Sequence, residues 1–298
     1  MSTLAVHAAE TRHDLTDAQW ELLQPLLPAR SHLGRPRKYP LRDLINGVRH
    51  RVRAGGPWRD VPSRYAPWWR VYALFRAWQI SGIWEEIESH LQALADDRGM
   101  VGWDISVDST TIRAHVHAAG ARRDAHEKVA GEPADHGLGR SRGGWSTKIH
   151  LGCDQHLQSL SFVVTPGQAG DAPQLITVLD GIRVIRGGRG RPRTRPDRVL
   201  ADKAYSSRAI REHLRRRRIT ATIPMKADQD RHRRSRGSKG GRPPVFDADA
   251  YKGRNVVERC FGALKHKRGI ATRYDKLAVR FQAAIRVANI DRWLKRLS

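Results

Sequence analysis

The hydrophobic period of this chain changes once, near residue 100, and that change limits the folds open to it. Before it, apolar residues recur at three- and four-residue steps, the spacing of a helix face. Trp20, Leu23 and Leu27 form the first face, opened by a capping box of Thr16 and Gln19. Leu41, Leu44, Ile45, Val48 and Val52 mark a second helix, which Gly55-Gly56 ends. Arg49, Arg51 and Arg53 are expected mostly off its buried side. Pro67 starts a third helix, with Trp68, Val71, Tyr72, Phe75 and Trp78 inward and Arg70 and Arg76 outward. A fourth follows Gly82. Residues 1–100 therefore read as an all-helical, helix-turn-helix-like domain, its tryptophans as core and not as a stacking surface.

After Trp103 the segments shorten and alternate. Strands are expected at 103–108, 147–153 and 160–165, the last two joined by a hairpin, and again at 199–205 and 219–223. Between them lie a Gly- and His-rich loop at 113–146 and a helix that Asp171 caps. A basic connector covers 186–198, and Ser206 or Ser207 caps a further helix. The tract 226–245 is rich in Arg, Gly and Ser and is expected to be mobile. Amphipathic helices at 251–265 and around Phe281, Ile285, Ala288 and Trp293 close the chain. Three early strands followed by alternation describe a mixed five-stranded sheet flanked by helices, so residues 101–298 are expected to form an α/β domain.

Lys and Arg number 55 against 30 Asp and Glu, a formal net charge of +25, and 44 of the cations are arginine. Such an excess repels itself and implies a polyanionic partner, nucleic acid before a membrane surface. The cations favour the second and third helices, which makes Arg49, Arg53, Arg70 and Arg76 candidate DNA contacts. No run of 18 apolar residues is present, and the first residues lack the charged and apolar regions of a signal peptide. The cysteines, Cys153 and Cys260, are too few for a disulfide framework. A cytoplasmic protein, nucleoid-associated when bound, is expected.

On the 251–265 helix, Tyr251, Arg254, Glu258 and Lys265 fall within an arc of about 60° beside the apolar stripe. Alone, Arg254 and Glu258 would be an ordinary i,i+4 surface pair. Asp108 and Asp202 each sit at or just past a strand end, where sites collect in α/β sheets. Each alone could equally be a turn or cap residue. Together with Glu258 they make an oxygen-rich set suited to hard divalent cations, two of which can activate a water and stabilise the leaving oxygen of a phosphodiester. The histidines His115, His117, His126, His136, His150 and His156 lack a zinc spacing and read as DNA contacts or bland positions.

These motifs resemble those of the DDE transposases of the IS4/IS5 insertion-sequence superfamily, and of its IS5 family in particular. Asp108 in Val-Asp-Ser-Thr matches the first family Asp, and Asp202 in Ala-Asp-Lys-Ala-Tyr the second. Tyr251, Arg254, Glu258 and Lys265 fit the signature Y-(2)-R-(3)-E-(6)-K without a gap. The N-terminal Leu-Thr-Asp-Ala-Gln-Trp, the stretch from Gly56 to Pro62 and Thr147-Lys-Ile-His also match, so the likeness spans about 15–297. It implies an RNase H-like catalytic domain, Asp108, Asp202 and Glu258 as ligands of Mg²⁺ or Mn²⁺, and terminal inverted repeats as substrate. Tyr251, Arg254 and Lys265 would then position phosphates, and at least a homodimer would hold two DNA ends. Two other readings are an RNase H-like endonuclease without strand transfer and a catalytically silent DNA-binding regulator.

Overall fold

The computed structural model describes residues 13–29, 38–121, 129–186 and 190–298; His126 and most of the 31–40 linker lie outside them. Four helices come first: α1 (Asp17–Leu23), α2 (Leu41–Ala54), α3 (Trp68–Ile80) and α4 (Ile83–Asp97). The Thr16 hydroxyl accepts from the Gln19 amide at 3.2 Å, and the Gln19 side chain accepts from the Thr16 amide, so the capping box forms. Gly55 ends α2 in the left-handed region at φ 74°. A β-carbon there would also meet the Arg268 backbone at 2.8 Å. Glycine is thus required twice over at this position.

Seven strands follow: β1 (Asp104–Ala114), β2 (Gly139–Ser141), β3 (Gly144–Cys153), β4 (Ser159–Pro166), β5 (Arg198–Leu200), β6 (Thr220–Thr222) and β7 (Thr272–Arg273). They form one mixed sheet. On one side of β1, β3 runs antiparallel from Ser106 to Arg113, and β4 pairs antiparallel with β3 beyond it. On the other side, β5 and then β6 run parallel to β1. The succession β4-β3-β1-β5-β6 is the RNase H-like sheet expected. The two added strands, β2 and β7, are three and two residues long, too short for an alternation to be read from sequence. Among the described residues the sheet is therefore seven-stranded, not five-stranded.

Between and after the strands come α5 (Val116–Ala119), α6 (Asp171–Asp180), α7 (Arg208–Arg216), α8 (Ala227–Ser235), α9 (Ala248–Lys252), α10 (Val256–Lys265), α11 (Arg268–Ala271) and α12 (Ala278–Leu297). Ser207 caps α7 through a bond from the Ile210 amide. Helix α12 is buried almost all round, with Phe281, Ile285 and Trp293 fully enclosed, and one apolar core runs from Leu15 to Leu297. Polar contacts cross the same interface: Glu88 of α4 accepts from Arg286 and Asn289 of α12, both at 2.8 Å. Among the described residues no helix is long and apolar enough to cross a membrane.

Several local expectations change. Gly170, not Asp171, is the N-cap of α6, and Asp171 is its first residue. The excursion expected at 113–146 begins only after Ala114 and contains α5 and β2. The 226–245 tract holds α8 and a following 3₁₀ turn, although none of α8 is buried. Arg51, expected off the packed side, is buried at 4% exposure because it forks onto Asp275 with two 3.1 Å bonds. Trp68, expected inward, is 36% exposed. The 251–265 helix is interrupted by a 3₁₀ turn, Gly253–Asn255, where a β-carbon on Gly253 would meet the Gln155 side chain at 2.8 Å.

Candidate active site

On its β5 side, β1 is paired only at its two ends. Pairing with β5 stops at Ser106 and pairing with β7 starts at Arg113. Between them the strand edge is open, and Asp108 lies on that stretch. It is therefore mid-strand, not at a strand end as its motif suggested, because the β3 ladder carries β1 on past it. The expectation survives in another form. Asp108 is two residues beyond Ser106, and Asp202 is two residues beyond Leu200, the partner of Ser106 in the parallel register. Equal offsets in parallel strands put both carboxylates at one level and on one face. Asp202 keeps extended backbone, and its Oδ1 accepts from the Ala204 amide at 2.8 Å.

The helical run from Ala248 crosses this edge and supplies the remaining groups. The Arg254 guanidinium bridges two carboxylates, Nη2 donating to Asp108 Oδ2 at 2.6 Å and Nη1 to Glu258 Oε1 at 3.0 Å. Asp108 and Arg254 are 20% and 18% exposed at the side chain, whereas Glu258 is 57% exposed. Burial pushes the Asp108 carboxyl above its ordinary range, and the Asp202 charge adds to this. The Ser109 amide and Arg254 offset only part of it. Burial alone would lower Arg254, but Asp108 and Glu258 outweigh it and hold the guanidinium charged. Tyr251 is raised chiefly by burial, and the charges of Asp202, Asp108 and Glu258 all reach it. One phenol thus lies within electrostatic reach of all three carboxylates.

Two neighbours enlarge the cluster. The Tyr205 hydroxyl is buried without a hydrogen-bond partner; burial raises it strongly, as do the charges of Asp108, Asp171 and Asp202. Asp171 accepts from Ser109 Oγ at 2.7 Å and Lys148 Nζ at 2.9 Å. Burial opposes its ionisation, but those two donors prevail and hold it below the usual carboxylate range. The donor set, carboxylates plus an orphaned phenol, suits a hard divalent cation. Among the described residues, however, no three acidic or imidazole groups already stand at metal-holding spacing. Arg254 spans two of the three carboxylates, as a cation would.

A family model described as "Transposase DDE domain" matches residues 101–290, well over half the chain. The chain belongs to the DDE transposases. A second model, "Putative transposase of IS4/5 family", matches residues 15–88. The chain is 33% identical over 158 residues to the "Putative transposase for insertion sequence element IS402" of Burkholderia cepacia, covering 53% of this chain and 64% of that one. It is 28% identical over 150 residues to the corresponding IS6501 protein of Brucella ovis, covering 50% of this chain and 99% of that one. A solved pre-cleavage Mos1 transpososome aligns over 91% of this chain and 82% of its own at 11% identity and a TM-score of 0.25.

The other residues that the sequence suggested are placed less centrally. Lys265 is exposed in the last turn of α10, about 10 Å of helix beyond Glu258. Arg70 and Arg76 are exposed on α3, as expected, and Arg53 is half-buried on α2. Arg49 is turned inward, its Nε donating to Asp291 at 2.5 Å and its Nη1 to Asn46. His150 is buried on Thr165, and burial lowers it to about 4, which leaves it neutral. His136 is buried against Glu132. Sequence reasoning missed Tyr205 and the part that Asp171 plays. The first follows Asp202 by three residues within the same matched motif, a signal that was there to be used.

Proposed function

We propose that this enzyme is an IS5-type transposase that binds the terminal inverted repeats of an insertion sequence, cleaves its ends and joins the freed 3′-hydroxyls to target DNA. The Arg254 bridge between Asp108 and Glu258, with Asp202 at the level of Asp108 on the neighbouring parallel strand, carries this reading. Mg²⁺ or Mn²⁺ held by the three carboxylates would supply Lewis acidity and an activated water or 3′-hydroxyl for in-line displacement at phosphorus. Asp108 and Asp202 are presented by adjacent parallel strands, so their spacing is set by the sheet. Glu258 stands on a helix edge, more exposed than the other two, and completes the set from the solvent side. Arg254 offsets part of the negative charge of this site in the free protein and is placed to meet a phosphate oxygen once it releases one carboxylate. Tyr251 and Lys265 flank the same edge, and such contacts position DNA without reading it.

The two family matches fall on either side of residue 100, which supports dividing the chain into recognition helices at 1–100 and a catalytic portion at 101–298. Arg53, Arg70 and Arg76 are the exposed or half-exposed cations for the recognition part. Arg49, held by Asp291, acts there through the packing of α2 and not through DNA. Two ends joined in one reaction require at least a dimer on DNA.

The test uses full-length protein, a duplex carrying the element end, and Mg²⁺ or Mn²⁺. Wild type should nick the end and join a supplied pre-cut end to a second duplex. Glu258→Gln should bind the end with unchanged affinity and do neither reaction. Nicking without joining would identify an endonuclease instead. Normal nicking by Glu258→Gln would remove this carboxylate from the mechanism.

A further inference from the structure

The far end of β1 from Asp108 opens on a cleft of about 1300 Å³ between the N-terminal helices and the segment after β7. At about 3.3 Å per strand residue, His115 on its wall lies roughly 20 Å or more from Asp108 along β1. This is a separate place from the carboxylate cluster. Its two walls are aromatic. Trp58 and Tyr72 stand on one, ring centroids 5.3 Å apart, with the part-exposed Trp68 beside them. His115 and Tyr274 form a pair on the other at 4.9 Å.

Its charge is one-sided. Arg59, Arg76, Arg268 and Lys276 line the cleft, all exposed, and none has an ion-pair partner among the described residues. Asp275 is the single acidic residue among those described that line it, and it is engaged by the Arg51 fork. Arg59 also lies over the Trp68 ring at 5.7 Å. Among the described residues, four cations without an ion-pair partner and no unengaged carboxylate line the cleft, which calls for a polyanion. Aromatic faces on opposite walls suit the flat faces of bases that are not stacked in a duplex. The volume exceeds the roughly 300–1,000 Å³ of a small-ligand site, so a chain of units fits better than one small molecule.

We propose that this cleft binds unpaired DNA, stacking single-stranded bases on the exposed Trp68, which Trp58 and Tyr72 back, and on the His115–Tyr274 pair, with the four cations on its phosphates. The proposal rests on the DNA-binding reading above. It assigns the cleft to strand that is open beside the reacting end, not to the duplex itself.

Full-length protein, without divalent metal and at fixed salt, is titrated with a blunt duplex and with the same duplex bearing a short single-stranded tail that carries 2-aminopurine. Wild type should prefer the tailed probe by about fivefold or more per stacked base, and the 2-aminopurine emission should be quenched. Trp68→Ala and Tyr274→Leu, from opposite walls, should each lose most of that preference and of the quenching while binding the blunt duplex as before. Thermal melts identify a variant that has failed to fold, and the other wall's variant then decides. Equal wild-type affinity for the two probes, or a preference that both variants retain, would overturn the cleft assignment and leave the DNA reading intact. Failure of wild type to bind either probe would overturn the DNA reading itself.

Discussion

Asp108 and Asp291 are both buried or nearly buried carboxylates gripped by arginine, yet their environments drive them in opposite directions. Asp291 on α12 receives Arg49 from α2 and Lys267 from the turn after α10, and burial that would raise it is overcome by the two cations. Asp108 has one guanidinium, shared with Glu258, and a second carboxylate nearby; burial and repulsion prevail and it is raised. Two cations to one anion is a structural arrangement. Three anions to one cation is a site that lacks positive charge, which a catalytic centre for metal and phosphate requires and a core does not.

The largest stability effect should follow from removing the structural charge. Asp291→Asn leaves Arg49 and Lys267 facing each other across an interface from which water is largely excluded. A loss of about 3–5 kcal/mol is expected, the cost of breaking a buried pair by one partner. Urea melts of wild type and variant would measure it, and a loss under about 1 kcal/mol would place Asp291 with ordinary surface pairs. The acid limb of stability should change with it. A carboxyl lowered on folding contributes stability that is present above its unfolded value, about 3.9, and lost as pH falls through the folded value. Wild type should therefore lose stability progressively below about pH 4, and Asp291→Asn should lack that part of the acid dependence.

On the catalytic side, Arg254→Gln tests the shared guanidinium. It removes the group that orders Asp108 and Glu258, so nicking should fall about 10- to 100-fold, as for other partners that orient metal-binding side chains. Binding of a lanthanide probe to the DNA-free protein should strengthen, since no internal cation then competes. Unchanged probe affinity would mean that Arg254 does not stand in for a bound cation.

The sequence made the sheet legible through β1, β3, β4 and β5, which bury alternating or continuous apolar sets, and through β6, which the buried Ile219 and Ile223 flank. Residues such as Ile105, Val107, Ile149 and Leu151 leave little choice. Motif spacing also singled out Asp108, Asp202 and Glu258, and the structure puts Asp108 and Glu258 on one guanidinium. What the sequence could not show are facts of long-range approach. The mid-strand place of Asp108 depends on how far the β3 ladder carries β1 past the end of its β5 pairing. The inward turn of Arg49 and Arg51 depends on Asp291 and Asp275, more than 220 residues away in the chain. Trp68 carries the same helical spacing as Phe75, which is fully buried, and only the packed arrangement separates a core ring from a cleft wall. A helical period names the face of a helix but not what that face meets.

The smallest expected effect is also the one of opposite sign. A carboxyl raised on folding contributes stability that is fully present below its unfolded value and is lost as pH rises through the folded value. At neutral pH and without metal, ionised Asp108 therefore costs the fold something, because burial and Asp202 outweigh Arg254. Asp108→Asn keeps the shape, removes that charge, and leaves Arg254 still bonded to Glu258. In EDTA at pH 7 it should be more stable than wild type by about 0.5–2 kcal/mol, the range of single stabilising changes at sites kept for function. Below about pH 4 the advantage should vanish, since protonated Asp108 is then as neutral as asparagine. Thermal melts from pH 4 to 8 give the whole curve. If Asp108→Asn melted lower than wild type at pH 7, Asp108 would belong with Asp291 as a structural charge, and the contrast between the two would collapse.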